Sequence, residues 1–267
     1  MTLPLALPSS RPQGVARYRR SLWLLTTRDL KVRYSTSVLG YLWSILDPLL
    51  MAGIYFFVFQ LVFKRSVGEE PYIVFLLTGL LPWMWFNGAV SDATVAFARE
   101  AKLIRSTTIP RTIWVARLVL SKGIEFLLSI PVLLVFGLFT AAQLHWETVL
   151  WIPAILLQAL LTFGIGLIVA PLVVFFRDLE RAVKLVLRFL FYASPVIYGL
   201  PDLAHLGLER WGALNPLSGI FSLYRSAYFP DQLDWFAVAV SVGITAVAVA
   251  LGLLVFRRTI RLVLKEI

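Results

Sequence analysis

Residues 28–63 read RDLKVRYSTSVLGYLWSILDPLLMAGIYFFVFQLVF. The first part is basic and rich in Tyr and Ser, whereas from Pro48 to Phe63 the only strongly polar side chain is Gln60. A helix that is apolar on every side leaves no face for water and belongs in a large core or in lipid. Arg28, Lys31 and Arg33 stand just before it, where a cytoplasmic flank gathers positive charge. The stretch is therefore predicted to hold a first membrane span, 38–63, entered from the cytosol, and the orientation of the remaining spans follows from it.

Composition agrees. Of 267 residues 59% are hydrophobic and only 15% charged, which argues against an ordinary soluble domain. The net charge of +10 does not point to nucleic acid, because the basic residues fall between apolar runs of about 20 residues. Topology control and lipid phosphates account for them better. The chain has no cysteine, so thiol catalysis, disulfides and thiolate metal sites are excluded. His145 and His205 are too far apart in sequence to suggest a metal centre. Residues 1–12 lack a basic segment before an apolar core, and no cleavable signal is expected.

Taken in order, 1–14 holds Pro4, Pro8, Pro12 and Gly14 and is expected to be a flexible tail. Over 15–34, Val15, Tyr18, Leu22 and Leu25 share one helical face, while Arg17, Arg20, Arg28 and Lys31 gather opposite. That is the pattern of a basic helix lying in the membrane interface. Further spans are predicted at 72–96, 113–140, 148–176, 182–199 and 234–256. A charged cytosolic segment, 97–111, lies between the second and third. In the third, Lys122 and Glu125 stand three apart and can pair on one helix face. The fifth is short and broken by Pro195.

Residues 200–230 mix Pro, Gly and apolar side chains. They are too apolar for a free loop and too broken for one helix, so they are expected to re-enter the membrane from outside and return. Pro195, Asn215, Pro216 and Leu217 are the candidate residues there, either for a moving gate or for a static plug. The Lys and Arg residues test this topology. Of 25, seven fall in 1–44 and four in each of 97–111, 177–188 and 257–267, against four in the outer segments. Both termini are thereby placed in the cytosol.

No GxxxxGK[ST] occurs, so the chain cannot cradle ATP phosphates itself, and no catalytic or metal motif stands in their place. Three features carry a family resemblance: the run from Arg28 through LGYLWSILDPLL, RSTTIPR at Arg105–Arg111, and FFRDL at Phe175–Leu179 with Asn215–Pro216. Together, and over nearly the whole chain, they resemble the membrane subunits of type-2 ABC exporters. Within these they look most like the branch that moves polysaccharides such as O-antigen, capsule, teichoic acid and galactan.

The resemblance implies a homodimeric all-α membrane protein of six spans in the bacterial inner membrane, with two copies of a cytoplasmic ABC ATPase. That partner would bind ATP and Mg; no cofactor or metal is implied in this chain. The cargo would be a polyprenyl-diphosphate-linked glycan. The segment 97–111 would dock on the ATPase through Glu100, Lys102 and Arg105 and the apolar Leu103 and Ile104. Arg17, Arg20, Arg28, Lys31 and Arg33 would recruit the diphosphate headgroup, since guanidinium makes charge-assisted bonds to phosphate. Tyr41, Phe56, Phe59, Phe63, Phe189 and Tyr192 are pore-lining candidates, although stripes at such spacings also serve helix packing.

Two rival functions share parts of this pattern: a type-2 exporter of a drug or lipid, and a membrane-embedded glycosyltransferase using an exterior carboxylate. A secondary transporter would show internal repeats and midplane charges, and neither is evident. The absence of native cysteine gives a direct test of topology. Single cysteines at positions 10, 105, 182 and 262 should be protected from an impermeant maleimide in intact cells, and those at 67, 145 and 210 labelled. Labelling at 105 from outside would invert the assignment.

Overall fold

The computed structural model describes residues 14–35, 39–62 and 68–266. Within them every regular element is helical and no strand occurs. Eleven α-helices follow in order: α1 (Gly14–Tyr34), α2 (Trp43–Phe56), α3 (Tyr72–Ala93), α4 (Ala96–Arg99), α5 (Ala101–Ser106), α6 (Ile113–Phe139), α7 (Trp151–Phe175), α8 (Leu179–Ala193), α9 (Glu209–Ala213), α10 (Pro216–Arg225) and α11 (Trp235–Glu266). Helix α2 continues as a π-helical stretch, Phe57–Val62. The tail expected over 1–14 lies, but for Gly14, outside the described residues, as do Phe63 and the side chain of Tyr41.

Among the described residues, five helical segments are long and apolar enough to cross a membrane: Trp43–Gln60, Tyr72–Ala93, Ile113–Phe139, Trp146–Phe175 and Trp235–Glu266. The expected span 182–199 falls mainly on α8. Its 15 residues rise roughly 22 Å at 1.5 Å each, short of the ~30 Å hydrocarbon core. Arg181, Lys184 and Arg188 also lie along it. Beyond α8 the chain turns without regular helix through Ser194–Gly199, then enters the 3-10 turn Pro201–Leu206, α9 and α10.

The hub is α3, with sixteen buried residues that include Phe75, Leu77, Leu80, Trp83 and Phe86. Helices α2, α6, α7, α8 and α10 all pack on it. Its apolar, aromatic sequence therefore meets protein more than lipid, which is why no amphipathic stripe was needed. At the end where α1, α4 and α5 gather, the inner end of the topology expected from the basic residues, a second cluster joins Leu25 of α1, Phe97 and Ile104 of the α4–α5 segment, Ile113 and Trp114 of α6, and Phe256 and Val263 of α11. The inward face of α1 is thus Tyr18, Leu22 and Leu25, whereas Val15 is 76% exposed.

Helices α7 and α11 form the most extensive pairing, through glycine. A Cβ on Gly252 would lie 2.4 Å from the Gly164 carbonyl oxygen, and one on Gly164 2.7 Å from the Ala248 carbonyl carbon. Small residues let two backbones touch where lipid supplies no hydrophobic drive between helices. Gly252→Ala should therefore destabilise the protein by about 1–3 kcal/mol through overpacking. Gly243→Ala, on the same helix but facing open space, should be neutral or slightly stabilising, since Ala is the better helix former. Thermal unfolding in one detergent compares them, and coincident midpoints would refute the interlock.

Candidate functional site

The two ends of the bundle each carry a polar assembly. At the inner end, α1 supplies Arg28, Asp29 and Arg33; α3 supplies Asp92; the α4–α5 junction supplies Glu100; and α6 supplies Arg117, Lys122 and Glu125. Arg117 pairs with Asp29 and reaches Glu100 at 3.5 Å, while Arg28 pairs with Glu100 and lies 3.3 Å from Asp29. Arg33 bridges Asp92 at 2.8 Å and Glu125 at 3.0 Å, and Lys122 closes on Glu125 at 2.8 Å, the pair expected from their spacing.

Four cations thus meet four carboxylates. Arg117 is only 4% exposed, and a charge removed from water persists only when paired and hydrogen-bonded. Its guanidinium also lies 5.2 Å from the Trp114 ring centroid. Partial burial pulls the pKa of Arg28 down, but the hydrogen bond to Glu100 and the charges of Glu100 and Asp29 outweigh it and hold the group above its ordinary value.

The assembly fixes the segment 97–111 against α1 and α6. Glu100 is drawn inward, and Ile104 is fully buried in the inner cluster. Leu103 is half-buried against the same cluster, while Lys102 and Arg105 face out. Arg111 donates to the Ile104 carbonyl at 2.7 Å, satisfying a carbonyl near the end of α5, and Arg17 donates to Thr108 Oγ1 at 3.0 Å. Of the other basic candidates on α1, Arg20 and Lys31 are exposed, whereas Arg28 and Arg33 are committed to carboxylates.

Two cavities adjoin this assembly. One of about 480 Å³ is lined by Arg28, Asp29, Asp92, Glu100 and Arg117. The other, about 320 Å³, lies between α2, α3 and α6. A third, about 560 Å³, lies between α2, α3 and α8. Along its wall runs an aromatic series: Tyr55 stacks on Phe59 with centroids 6.4 Å apart, meets Phe191 at 5.5 Å, and Phe191 meets Trp83 at 5.4 Å and Tyr192 at 5.0 Å. Phe56 and Phe59 are half-buried against the main core and do not line this cavity, while Phe189 and Tyr192 are 71% and 59% exposed. Tyr55, Trp83 and Phe191 were missed from sequence, since only the spatial meeting of three helices distinguishes them from other aromatics.

At the outer end the turn at Pro195 and the start of α10 come together. Asn215 caps α10, its Oδ1 accepting from Leu217 N at 3.0 Å, while its Nδ2 donates to Ser194 Oγ at 2.8 Å and Ala193 O at 3.3 Å. Pro216 occupies the first turn, where its missing N–H costs nothing. Pro195 and Leu217 are buried. Arg225, fully buried at the far end of α10, donates to Val196 O at 2.8 Å and Tyr198 O at 2.9 Å and covers the Phe75 ring at 3.9 Å. Sequence placed Arg225 merely among outer charges. Asp202 adds a further tie, accepting from Gly68 N at 2.9 Å and Gly199 N at 2.7 Å.

Comparison with known proteins bears on what this arrangement does. The profile of the ABC-2 type transporter family matches residues 20–229. An O-antigen export system permease protein, RfbA of Klebsiella pneumoniae, is 36% identical over 239 residues, covering 89% of this chain and 91% of the relative. RfbA of Myxococcus xanthus is 31% identical over 218 residues, 81% and 83% of the two chains. The polysialic acid transport protein KpsM of Escherichia coli is 26% identical over 216 residues, 79% and 81%.

The inner assembly makes a direct prediction about stability. Arg117→Met leaves Asp29 and Glu100 without their most buried partner and should cost about 3 kcal/mol, as for a broken buried pair. Adding Asp29→Asn should restore part of that loss, and Arg117→Lys should fall between because it keeps charge but loses the planar fork. Unfolding midpoints of the single and double variants form a cycle. Strictly additive changes would show that the two residues do not interact.

Proposed function

The chain belongs to the ABC-2 type transporter family, and we propose that it is the membrane-spanning subunit of an ATP-driven exporter of a polyprenyl-diphosphate-linked polysaccharide. The glycan would pass from the cytoplasm to the outer face of the inner membrane. The observation that carries this reading is the match to O-antigen export permeases across about nine-tenths of both chains. As a transport subunit it performs no chemistry of its own. Two copies of a separate ATPase bind ATP and Mg and drive a homodimer of this chain.

The geometry fits those roles. The α4–α5 segment is held by ion pairs to α1 and to the start of α6, so a push on Lys102 or Arg105 would be transmitted to both. Helices α2 and α8 each turn large apolar side chains outward, among them Leu50, Ile54, Phe57, Leu185 and Phe189. Such faces suit a dimer seam and an aromatic lining whose flat rings hold sugar faces without gripping them. In this reading the sixth crossing is made by α8 with the turn after it, and α9 and α10 re-enter from outside, leaving both termini in the cytosol. The exposed Arg17, Arg20 and Lys31 on α1 recruit the diphosphate headgroup.

The test separates partner from cargo. Cells lacking the chain should lose their surface glycan and accumulate it inside, and the wild-type chain should restore it. Lys102→Ala with Arg105→Ala spares the buried Glu100 and Ile104, so the protein should insert normally. It should also lose co-purification with the ATPase and export at least about tenfold less, a loss on the order of 1.4 kcal/mol of coupling. Unchanged surface glycan in the deletion strain would remove the export reading. Unchanged co-purification and export in the double variant would remove docking at α5.

A further inference from the structure

Resting on the export reading, we infer that the cavity between α2, α3 and α6 is a binding subsite for a neutral pyranose unit of the transported chain. Its volume of about 320 Å³ falls at the lower end of small-molecule pockets, roughly 300–1,000 Å³. Two indoles, Trp43 and Trp85, line it together with Asp47, Arg33, Lys122 and Glu125. This combination of aromatic surface, carboxylate and cation in one cavity is what selects the ligand.

Trp85 is held in advance of any ligand. Its Nε1–H donates to the Val119 carbonyl at 2.9 Å, and its ring stacks on Phe126 with centroids 5.3 Å apart. Gly123 leaves room for it, since a Cβ there would lie 3.0 Å from the indole. Trp43, on the first turn of α2, remains 40% exposed. Asp47 stands one turn further along α2, inside a segment apolar enough to cross the membrane. Its side chain is exposed at the cavity, and among the described residues it makes neither an ion pair nor a side-chain hydrogen bond. A carboxylate at such a position marks a polar pathway unless it finds donors.

The charges decide between ligand classes. Arg33 and Lys122 are balanced by Glu125 and Asp47 in the lining, and both cations are already paired to carboxylates. A diphosphate would have to displace those carboxylates and approach Asp47, so an anion is disfavoured. A lipid tail would leave the Asp47 carboxylate facing hydrocarbon with no donor. A cationic ligand would meet Arg33 and Lys122. A neutral polyol meets none of these penalties: adjacent hydroxyls donate to Asp47, and the C–H face of a pyranose packs on indole.

The test places the photo-crosslinking residue p-benzoylphenylalanine at Met84 or Ser44, both in the lining, in the full chain with its ATPase. Cells making their own glycan are irradiated, and Leu138, exposed on the outer part of α6, serves as control. Carbohydrate, detected by periodate oxidation, should attach at the lining positions above the control. Asp47→Asn and Trp43→Ala should lower the adduct by about tenfold, while Trp43→Phe, which keeps a ring, retains most of it; membrane levels of each variant are measured alongside.

No carbohydrate adduct, or lipid alone, in cells that still export glycan at the normal rate overturns the subsite and leaves the export reading intact. Unchanged glycan export in cells lacking the chain overturns the export reading itself. If the benzoyl group stops export at both positions, the 19F signal of 5-fluorotryptophan at position 43 is followed while extracted lipid-linked glycan is added. A saturable shift that inorganic diphosphate fails to produce is then expected, and no shift overturns the subsite.

Discussion

The inner half of this protein is organised by a single electrostatic requirement: Arg117, on a helix built to sit in lipid, is withdrawn from water and must be neutralised by residues from elsewhere. Asp29 and Glu100 meet that need, and in doing so they bring α1 and the α4–α5 junction onto α6. Arg33 repeats the arrangement one step outward, joining α1 to α3 and α6. A buried charge left without its partner costs several kcal/mol, so these elements cannot separate while Arg117 stays out of water. The apolar inner cluster of Leu25, Phe97, Ile104 and Trp114 then packs beneath an already fixed polar lid.

The outer half answers a different requirement, the satisfaction of irregular backbone. Residues 194–199 have no helical ladder, and their burial keeps water from taking its place. Arg225 supplies donors to two carbonyls of the turn, Val196 and Tyr198, and Asn215 donates to the Ser194 hydroxyl and the Ala193 carbonyl while capping α10. A guanidinium is suited to this because its five donors stand in a fixed fork. The result is an outer segment bound at both ends of α10 to the turn that follows α8, so the two would move as one body.

Between these braced ends lie the surfaces that remain open to function. The aromatic series Tyr55–Phe191–Trp83 and the outward rings of Phe189 and Tyr192 occupy the middle of the bundle, on α2, α3 and α8. The inner cavity beside Trp43 and Trp85 opens next to the ion-pair assembly through the shared Arg33. The α4–α5 segment, α1 and this cavity are thus linked through one set of ion pairs. A displacement of α5 would reach the cavity through Glu100, Arg117 and α6.

Much of this was legible in the chain itself. Apolar runs separated by basic clusters led to six expected spans, and five of them coincide with helices long and apolar enough to cross a membrane, because lipid leaves a helix no alternative means of satisfying its backbone. The pairing of Lys122 with Glu125 followed from helical spacing. What the sequence did not disclose is which charges meet across 72 to 92 residues, as Arg28 meets Glu100 and Arg33 meets Glu125. Nor did it show that Ile104 faces inward, or that Arg225 is a buried clamp on irregular backbone. Periodicity assigns a side chain to a face of its own helix but carries no information on what another helix brings there. Tertiary packing alone decided those partners, since only the assembled bundle removes the groups from water and makes their pairing obligatory.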